Sequence, residues 1–302
     1  MKNWNPAEYL IFETVTGSHL YGTSTPDSDV DLRGICIPPR EVMLNPFQGF
    51  EQKDSGFEEE DRVIYGLEKF VKLCADANPN IIELLFAPKD SWKFIDLRGK
   101  TLLRNYTLFL SKKIKHTFTG YAFSQLNDIK RHRQWFLDPP KQKPSRKEYG
   151  LGETPIVSGD SLSALSNRLD LLKEDVRDEI KRELSYREAK IRWDNYWSWK
   201  VNRNPKRMQM EEKFGYDTKH AMHLVRLMIE GKNLLLDGYL EFPLEDSAWL
   251  IAIRNGEYTY EQILDLATNM EADFDLWYEK SFLPNGPDRE AISEMYLYLT
   301  KE

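Results

Sequence analysis

Two strand-like runs near the start of the chain are joined by a loop of turn-forming residues, and this pairing limits the fold more than any other feature. Residues 9–16 (Tyr9-Leu10-Ile11-Phe12-Glu13-Thr14-Val15-Thr16) are β-branched and aromatic and stop at Gly17-Ser18, which reads as a strand ended by a turn. Residues 29–37 (Asp29-Val30-Asp31-Leu32-Arg33-Gly34-Ile35-Cys36-Ile37) alternate polar and apolar side chains through Arg33 and end at Pro38-Pro39, which reads as a second strand. Glycine at the turn lets the backbone approach a phosphate closely, and the Ser18 hydroxyl adds a donor. A helix starting there would favour an anion further. Asp29 and Asp31, two apart on a strand, share one face with Arg33. Two carboxylates on one face repel each other unless a cation lies between them, and Mg²⁺ takes carboxylate and phosphate oxygens together. A phosphate-holding turn followed by a carboxylate pair is what phosphoryl or nucleotidyl transfer requires. A plain connecting loop accounts for Thr25-Pro26-Asp27-Ser28. It does not account for two acids and Arg33 facing one way on an otherwise apolar strand.

The remaining pattern is expected to be mixed first and helical later. A third short strand is expected near Asp61-Arg62-Val63-Ile64-Tyr65. Gly66 then opens an amphipathic helix with Leu67, Phe70, Val71 and Cys74 on one side. Asn78-Pro79-Asn80 breaks that helix, and residues 81–87 form a short apolar segment, strand or helix. Beyond Ser91, residues 102–136 read as one helix, about 138–160 as a Pro-, Gly- and Lys-rich surface loop, and 161–200 as a strongly charged helix. Further helical patterns cover 217–230, 244–253 and 260–279, with Asp217 as N-cap and Gly231 as a C-terminal stop. The expected division is a sheet-bearing domain over 1–97 and a mostly helical domain over 98–302.

Charge is uneven. The net formal charge is -7, which taken alone argues against a nucleic-acid partner. Between Arg98 and Lys147, however, thirteen basic residues face only Asp128 and Asp138, so this segment carries +11 and the rest -18. A positive segment on an acidic body suits a polyanion. The plainer alternative is a basic helical face balanced by acidic neighbours in the fold. Aromatic residues at 13% exclude global disorder. The 2 cysteines, Cys36 and Cys74, exclude a disulfide framework and suit a reduced compartment. No run of about 18 apolar residues is present, and Met1-Lys2-Asn3-Trp4-Asn5-Pro6 shows no secretory apolar run. A cytoplasmic, unprocessed protein with no membrane partner is expected. Oligomeric state is not legible.

Gly17-Ser18 with Asp29-Val30-Asp31 resembles the signature of the DNA polymerase β-like nucleotidyltransferase superfamily. The longer string, Gly17-Ser18-His19-Leu20-Tyr21-Gly22-Thr23-x-Thr25-Pro26-x-Ser28-Asp29-x-Asp31-x-Arg33-Gly34, is narrower and resembles the RNA-repair-pathway (RlaP-like) group of predicted nucleotidyltransferases. Tyr65-x-Leu67-x-Lys69-Phe70, Asn78-Pro79-Asn80, Glu83-Leu84-Leu85, Arg203-Asn204-Pro205-x-Arg207 and Gly215-Tyr216-Asp217-x-Lys219-His220-Ala221-x-His223-x-x-Arg226-Leu227 extend the resemblance, which is weaker over about 91–190. It implies an α+β fold, a polymerase β-like mixed sheet with flanking helices, followed by a mostly helical C-terminal domain. It also implies divalent metals, Mg²⁺ or Mn²⁺, held by three carboxylates, and transfer of NMP from an NTP such as ATP to an acceptor hydroxyl. Asp29 and Asp31 carry over directly, and Gly17, Ser18, Ser28 and Arg33 fall to the nucleotide. The third carboxylate belongs on a neighbouring strand. Asp61 is the leading choice, ahead of Glu59, with Glu83 or no third acid remaining. RNA, a tRNA or an RNA end, is the expected acceptor. Nucleotidylation of a protein side chain or small molecule is the alternative, and a non-catalytic nucleotide- or RNA-binding module the third reading.

Two secondary patterns stand out. Lys219, His223 and Arg226 are spaced i, i+4, i+7 on one helical face, which would let Lys219 and His223 meet a triphosphate. The plainer reading is a solvated cationic face with a histidine hydrogen-bonded in the fold. Two histidines, His220 and His223, do not make a zinc site without further ligands nearby. Arg192 to Arg203 interleaves tryptophans and bases. It reads first as a packed aromatic stripe with a basic rim and second as a base-stacking surface.

Overall fold

A computed structural model describes residues 4–47, 49–55, 61–155, 157, 161, 162, 165 and 168–301. Among them the strands form one five-stranded sheet, built from β1 (Leu10–Thr16), β2 (Asp31–Cys36), β3 (Gln52–Asp54), β4 (Asp61–Gly66) and β5 (Trp92–Ile95). The order is β3-β4-β2-β1-β5. β1 pairs antiparallel with β2 and with β5, β3 antiparallel with β4, and β2 parallel with β4. The apolar residues of β1 fix its inner place, with Ile11 and Phe12 fully buried. With helices on the sheet and a helical region after it, the architecture is α+β. β2 begins at Asp31, so Asp29 lies two residues before the strand rather than on it. β3 and β5 are additions to the sequence expectation.

The helix Leu67–Ala75 buries Leu67, Phe70, Val71 and Cys74, the face anticipated from its periodicity. Residues 79–86 are a helical turn followed by a 3-10 turn, not a strand. The single helix expected over 102–136 is two, Leu97–Arg104 and Ile114–Leu137, separated by a 3-10 turn at Tyr106–Phe109. Asp96 caps the first by accepting from the Gly99 N–H at 2.8 Å. Of the charged helix expected from 161, Ser161, Leu162 and Leu165 are helical, but a 3-10 turn at Leu169–Leu171 and the extended Lys173 separate them from the long helix Glu174–Asn202; residues 163, 164, 166 and 167 lie outside the described set. The helix Thr218–Asp237 passes through Gly231 and stops at Gly238, whose φ is +65°. Gly231 is there for contact: a Cβ would come within 2.8 Å of the Phe274 ring. The helices Ser247–Arg254, Tyr260–Lys280 and Arg289–Leu299 complete the chain. Among the described residues no helix is long and apolar enough to cross a membrane. Cys36 and Cys74 are free and buried.

The chain divides into two compact units, Met1–Ile129 with Thr218–Glu302, and Lys130–Asp217. Contacts thin at those boundaries and not near residue 97, because the C-terminal helices pack back on the first part of the chain. Arg289–Leu299 packs on Leu67–Ala75, and the Asp288 N–H bonds the Leu108 carbonyl at 3.0 Å. In the second unit the long helix Glu174–Asn202 buries Glu183, which Arg146 and Arg187 pair at 2.8 and 3.0 Å. The expected 138–160 loop thus docks on that helix through its turn at Arg146–Tyr149.

Gly99 lies so tightly on β1 that an added Cβ would overlap the Ile11 carbonyl, whereas Gly120, inside the helix Ile114–Leu137, faces open space. Gly99→Ala is expected to lower the unfolding free energy by about 1–3 kcal/mol. Gly120→Ala is expected to raise it by roughly 0.5–1 kcal/mol. Urea midpoints of the two variants measure both.

Candidate active site

The parallel register between β2 and β4 sets Asp31 directly beside Asp61. Both point to the face that carries Arg33, since residues two apart on a strand share a side. Burial raises the Asp31 carboxyl above its ordinary value, and the hydrogen bond and charge of Asp61 raise it further, against Arg33 and Lys219. Arg33 bridges the pair, donating to Asp61 Oδ1 at 3.1 Å and lying 4.0 Å from Asp31 Oδ1. Asp29 is exposed just ahead of the strand, and among the described residues its side chain has no hydrogen-bond or ion-pair partner.

The turn after β1 closes on this pair. Gly17 has φ +66°, which a side chain would strain, and a Cβ there would overlap the Asp31 carboxylate. Ser18 begins the helical turn Ser18–Tyr21 immediately after it. Ser28 serves its own loop: its hydroxyl accepts from the Thr25 N–H at 2.8 Å. Lys219, in the first turn of Thr218–Asp237, is near enough for its charge to act on Asp31. His223 stands one turn further along, half-buried. His220 Nδ1 is 2.6 Å from Gln125 Oε1. Glu59, the second choice for the third carboxylate, lies outside the described residues.

Behind the turn is a buried polar cluster. The Tyr21 hydroxyl donates to both oxygens of Glu83 at 2.9 and 3.0 Å. Arg226 donates to Glu83 at 3.0 Å and to Glu230 at 2.9 Å, and its guanidinium lies 4.1 Å from the Tyr21 ring centroid. Arg226 is therefore an interior cation and not a solvated phosphate contact, although the helical spacing put it on the face of Lys219 and His223. Glu83, the fallback third carboxylate, is committed here too. Burial pushes Glu83 up and Glu230 up to about 8, with Arg226 opposing in both cases. One guanidinium faces two carboxylates, so near neutral pH one of the two retains a proton. The loop's outer side is clamped as well: Arg254 donates to the Thr23 carbonyl at 2.9 Å, and a Cβ on Gly22 would come within 2.8 Å of Pro243. Sequence reasoning missed Tyr21 and Glu230 as partners. Two signals pointed to them: a lone acid, Glu83, in an apolar run needs a buried partner, and Arg226 and Glu230 are spaced i, i+4.

The sheet, its glycine–serine turn and the adjoining acids make an α+β protein whose architecture is consistent with a polymerase β-like fold. Residues 3–144 match the family model described as RlaP, RNA repair pathway DNA polymerase beta family, which supports over that segment the resemblance seen in the motifs. The chain is also similar to the "Uncharacterized 38.9 kDa protein in nrdC-mobD intergenic region" of Enterobacteria phage T4, 31% identical over 141 residues, covering 39% of this chain. The chain spans 42% of that relative's length. No solved structure matches the chain.

The raised Glu230 carboxyl has a measurable consequence. The folded state keeps a proton that the unfolded chain releases above pH 4.5, so stability falls as pH rises from about 4.5 towards about 8. One such proton gives a slope of at most about 1.4 kcal/mol per pH unit. Glu230→Gln fixes the neutral form and is expected to flatten that slope in urea unfolding at a series of pH values. Glu83 and Asp31 titrate in the same sense and leave a residual slope.

Proposed function

We propose that this chain is a metal-dependent nucleotidyltransferase that moves NMP from an NTP to an acceptor hydroxyl on RNA. The observation that carries the reading is the register that sets Asp31 directly beside Asp61, with Arg33 reaching both and the Asp31 carboxylate against the backbone of Gly17. The donor set suits a hard divalent cation: oxygen ligands of like charge, close together, whose mutual repulsion a cation relieves. Asp31 and Asp61, with Asp29 just outside the strand, are the residues that would hold Mg²⁺ or Mn²⁺. When bound, the ion supplies charge that activates an acceptor hydroxyl and offsets the triphosphate.

The chain's own groups have distinct tasks in this reading. Gly17 lets the backbone come close to phosphate, and Ser18 offers its hydroxyl. Lys219, whose positive charge acts on Asp31, is suited to the leaving pyrophosphate. Arg33 orients both carboxylates, and His223 is the remaining candidate for a phosphate contact. Ser28 acts through the loop by closing the turn at Thr25. RNA as acceptor rests on the family description of residues 3–144 and on the basic segment from Arg98 to Lys147. Part of that segment is internally paired: Lys113 with Asp76, Lys115 with Asp275 and Arg146 with Glu183. The domain assignment that follows is a catalytic sheet with C-terminal helices supporting it.

Asp31→Asn is expected to lower transfer of labelled NMP by about a hundredfold or more. The same change is expected to leave the fold at least as stable, because it removes a like-charge contact. Asp29→Asn and Asp61→Asn are expected to behave alike in activity. The assay uses labelled NTP with Mg²⁺ or Mn²⁺ and offers RNA and lysate protein side by side. Undiminished transfer in Asp31→Asn defeats the mechanism, and label in protein but not RNA replaces the acceptor.

A further inference from the structure

We propose that an exposed aromatic–lysine stripe on the helix Glu174–Asn202 binds an unpaired RNA strand by base stacking. The tryptophan-rich run of this helix splits into two halves. Tyr196 and Trp199 pack inward on Trp135, with ring centroids 6.0 and 5.2 Å from it. Trp197 is 50% exposed, its ring parallel within 9° to that of Trp193 at 6.0 Å, while Trp193 is half-buried and links it to Tyr196 at 6.2 Å. Packing explains the inner half and holds Trp193, but leaves the Trp197 ring half open to solvent.

The outer half lies on a regular stripe. Tyr186, Lys190, Trp193, Trp197 and Lys200 are spaced by four, three, four and three residues, which keeps them on one side of the helix over roughly 21 Å. Cations lie against its rings: the Lys200 ammonium is 5.7 Å from the Trp197 centroid, and the Arg146 guanidinium is 5.3 Å from that of Tyr186. A lysine resting on an exposed indole can yield the ring to a base and pair with the attached phosphate. Every base has a π-face, so such a surface tolerates any unpaired sequence.

Charge complementarity selects a polyanion. The unit Lys130–Asp217 contains twenty basic and fifteen acidic residues, a net of +5 in a chain of -7. Asp194 is an acid beside the tryptophans, off the stripe. The proposal deepens the reading above by giving the acceptor strand a grip, and rests on it only for the strand being RNA.

The test is a titration of the full chain with an oligouridylate of about 12 nucleotides, read by tryptophan fluorescence without NTP or divalent ion. Saturable quenching is expected, with affinity falling about tenfold in Trp197→Leu and largely retained in Trp197→Phe. Replacing Lys190 and Lys200 by Ser is expected to flatten the salt dependence by roughly 0.7 per lysine. Circular dichroism melts verify each fold; should Trp197→Leu not fold, the lysine variants and a duplex competitor carry the test. Unchanged affinity in folded Trp197→Leu, duplex RNA of equal length binding as tightly, or no quenching overturns the proposal. Because binding is read without turnover, loss of this grip with transfer intact sinks only the stripe, and loss of transfer in wild type sinks only the enzyme.

Discussion

A single buried guanidinium joins three distant parts of the chain. Arg226 reaches Glu83, Glu230 and the ring of Tyr21, all at most 4% exposed. Removing a charge from water costs several kcal/mol, and only close, well-directed partners offset it. Burial opposes the charge, but the Glu230, Tyr21 and Glu83 groups hold Arg226 firmly protonated. The same contacts satisfy the Glu83 carboxylate and the Tyr21 hydroxyl, which would otherwise be buried unpaired. Tyr21 lies four residues beyond Gly17, so this cluster fixes the turn that closes on Asp31. The helices after Thr218 are therefore part of the unit that builds the site.

The carboxylate pair is a second, opposed constraint. Parallel pairing of β2 and β4 puts two like charges side by side, a local cost that no packing need requires. Arg33 and Lys219 moderate it without removing it, since Asp31 remains raised. A fold that tolerates such a contact while shaping a glycine turn against it concentrates its strain where chemistry is expected. The family match covers residues 3–144, but the supports of the turn extend to Arg254. The part of the chain that resembles known proteins thus depends for its shape on a part outside the match.

The first two strands, the helix at Leu67 and the position of Asp61 were legible because each rests on local pattern: alternation, period and a preceding break. Short strands were not legible. β3 is exposed throughout and β5 has no buried residue, so neither leaves a hydrophobic signature. Gly231 misled because a glycine late in a helix reads as a stop, while here it makes room for Phe274. Arg226 misled because helical spacing reports which residues share a side and not whether that side meets water. Ser28, a nucleotide residue by resemblance, also accepts from the Thr25 N–H within its own loop, a contact its neighbours in sequence do not announce.

Residue order alone was enough to place a glycine–serine turn before a pair of acids, and to make phosphate and metal chemistry the leading expectation. Turn propensity, strand alternation and carboxylate repulsion act between near neighbours, and a linear reading captures them. The pairing of Asp31 with Asp61, the approach of Lys219 and the burial of Arg226 belong to the folded chain. They depend on strand register and on helices returning from beyond residue 218, and contacts across such separations are chosen by packing and desolvation of the whole.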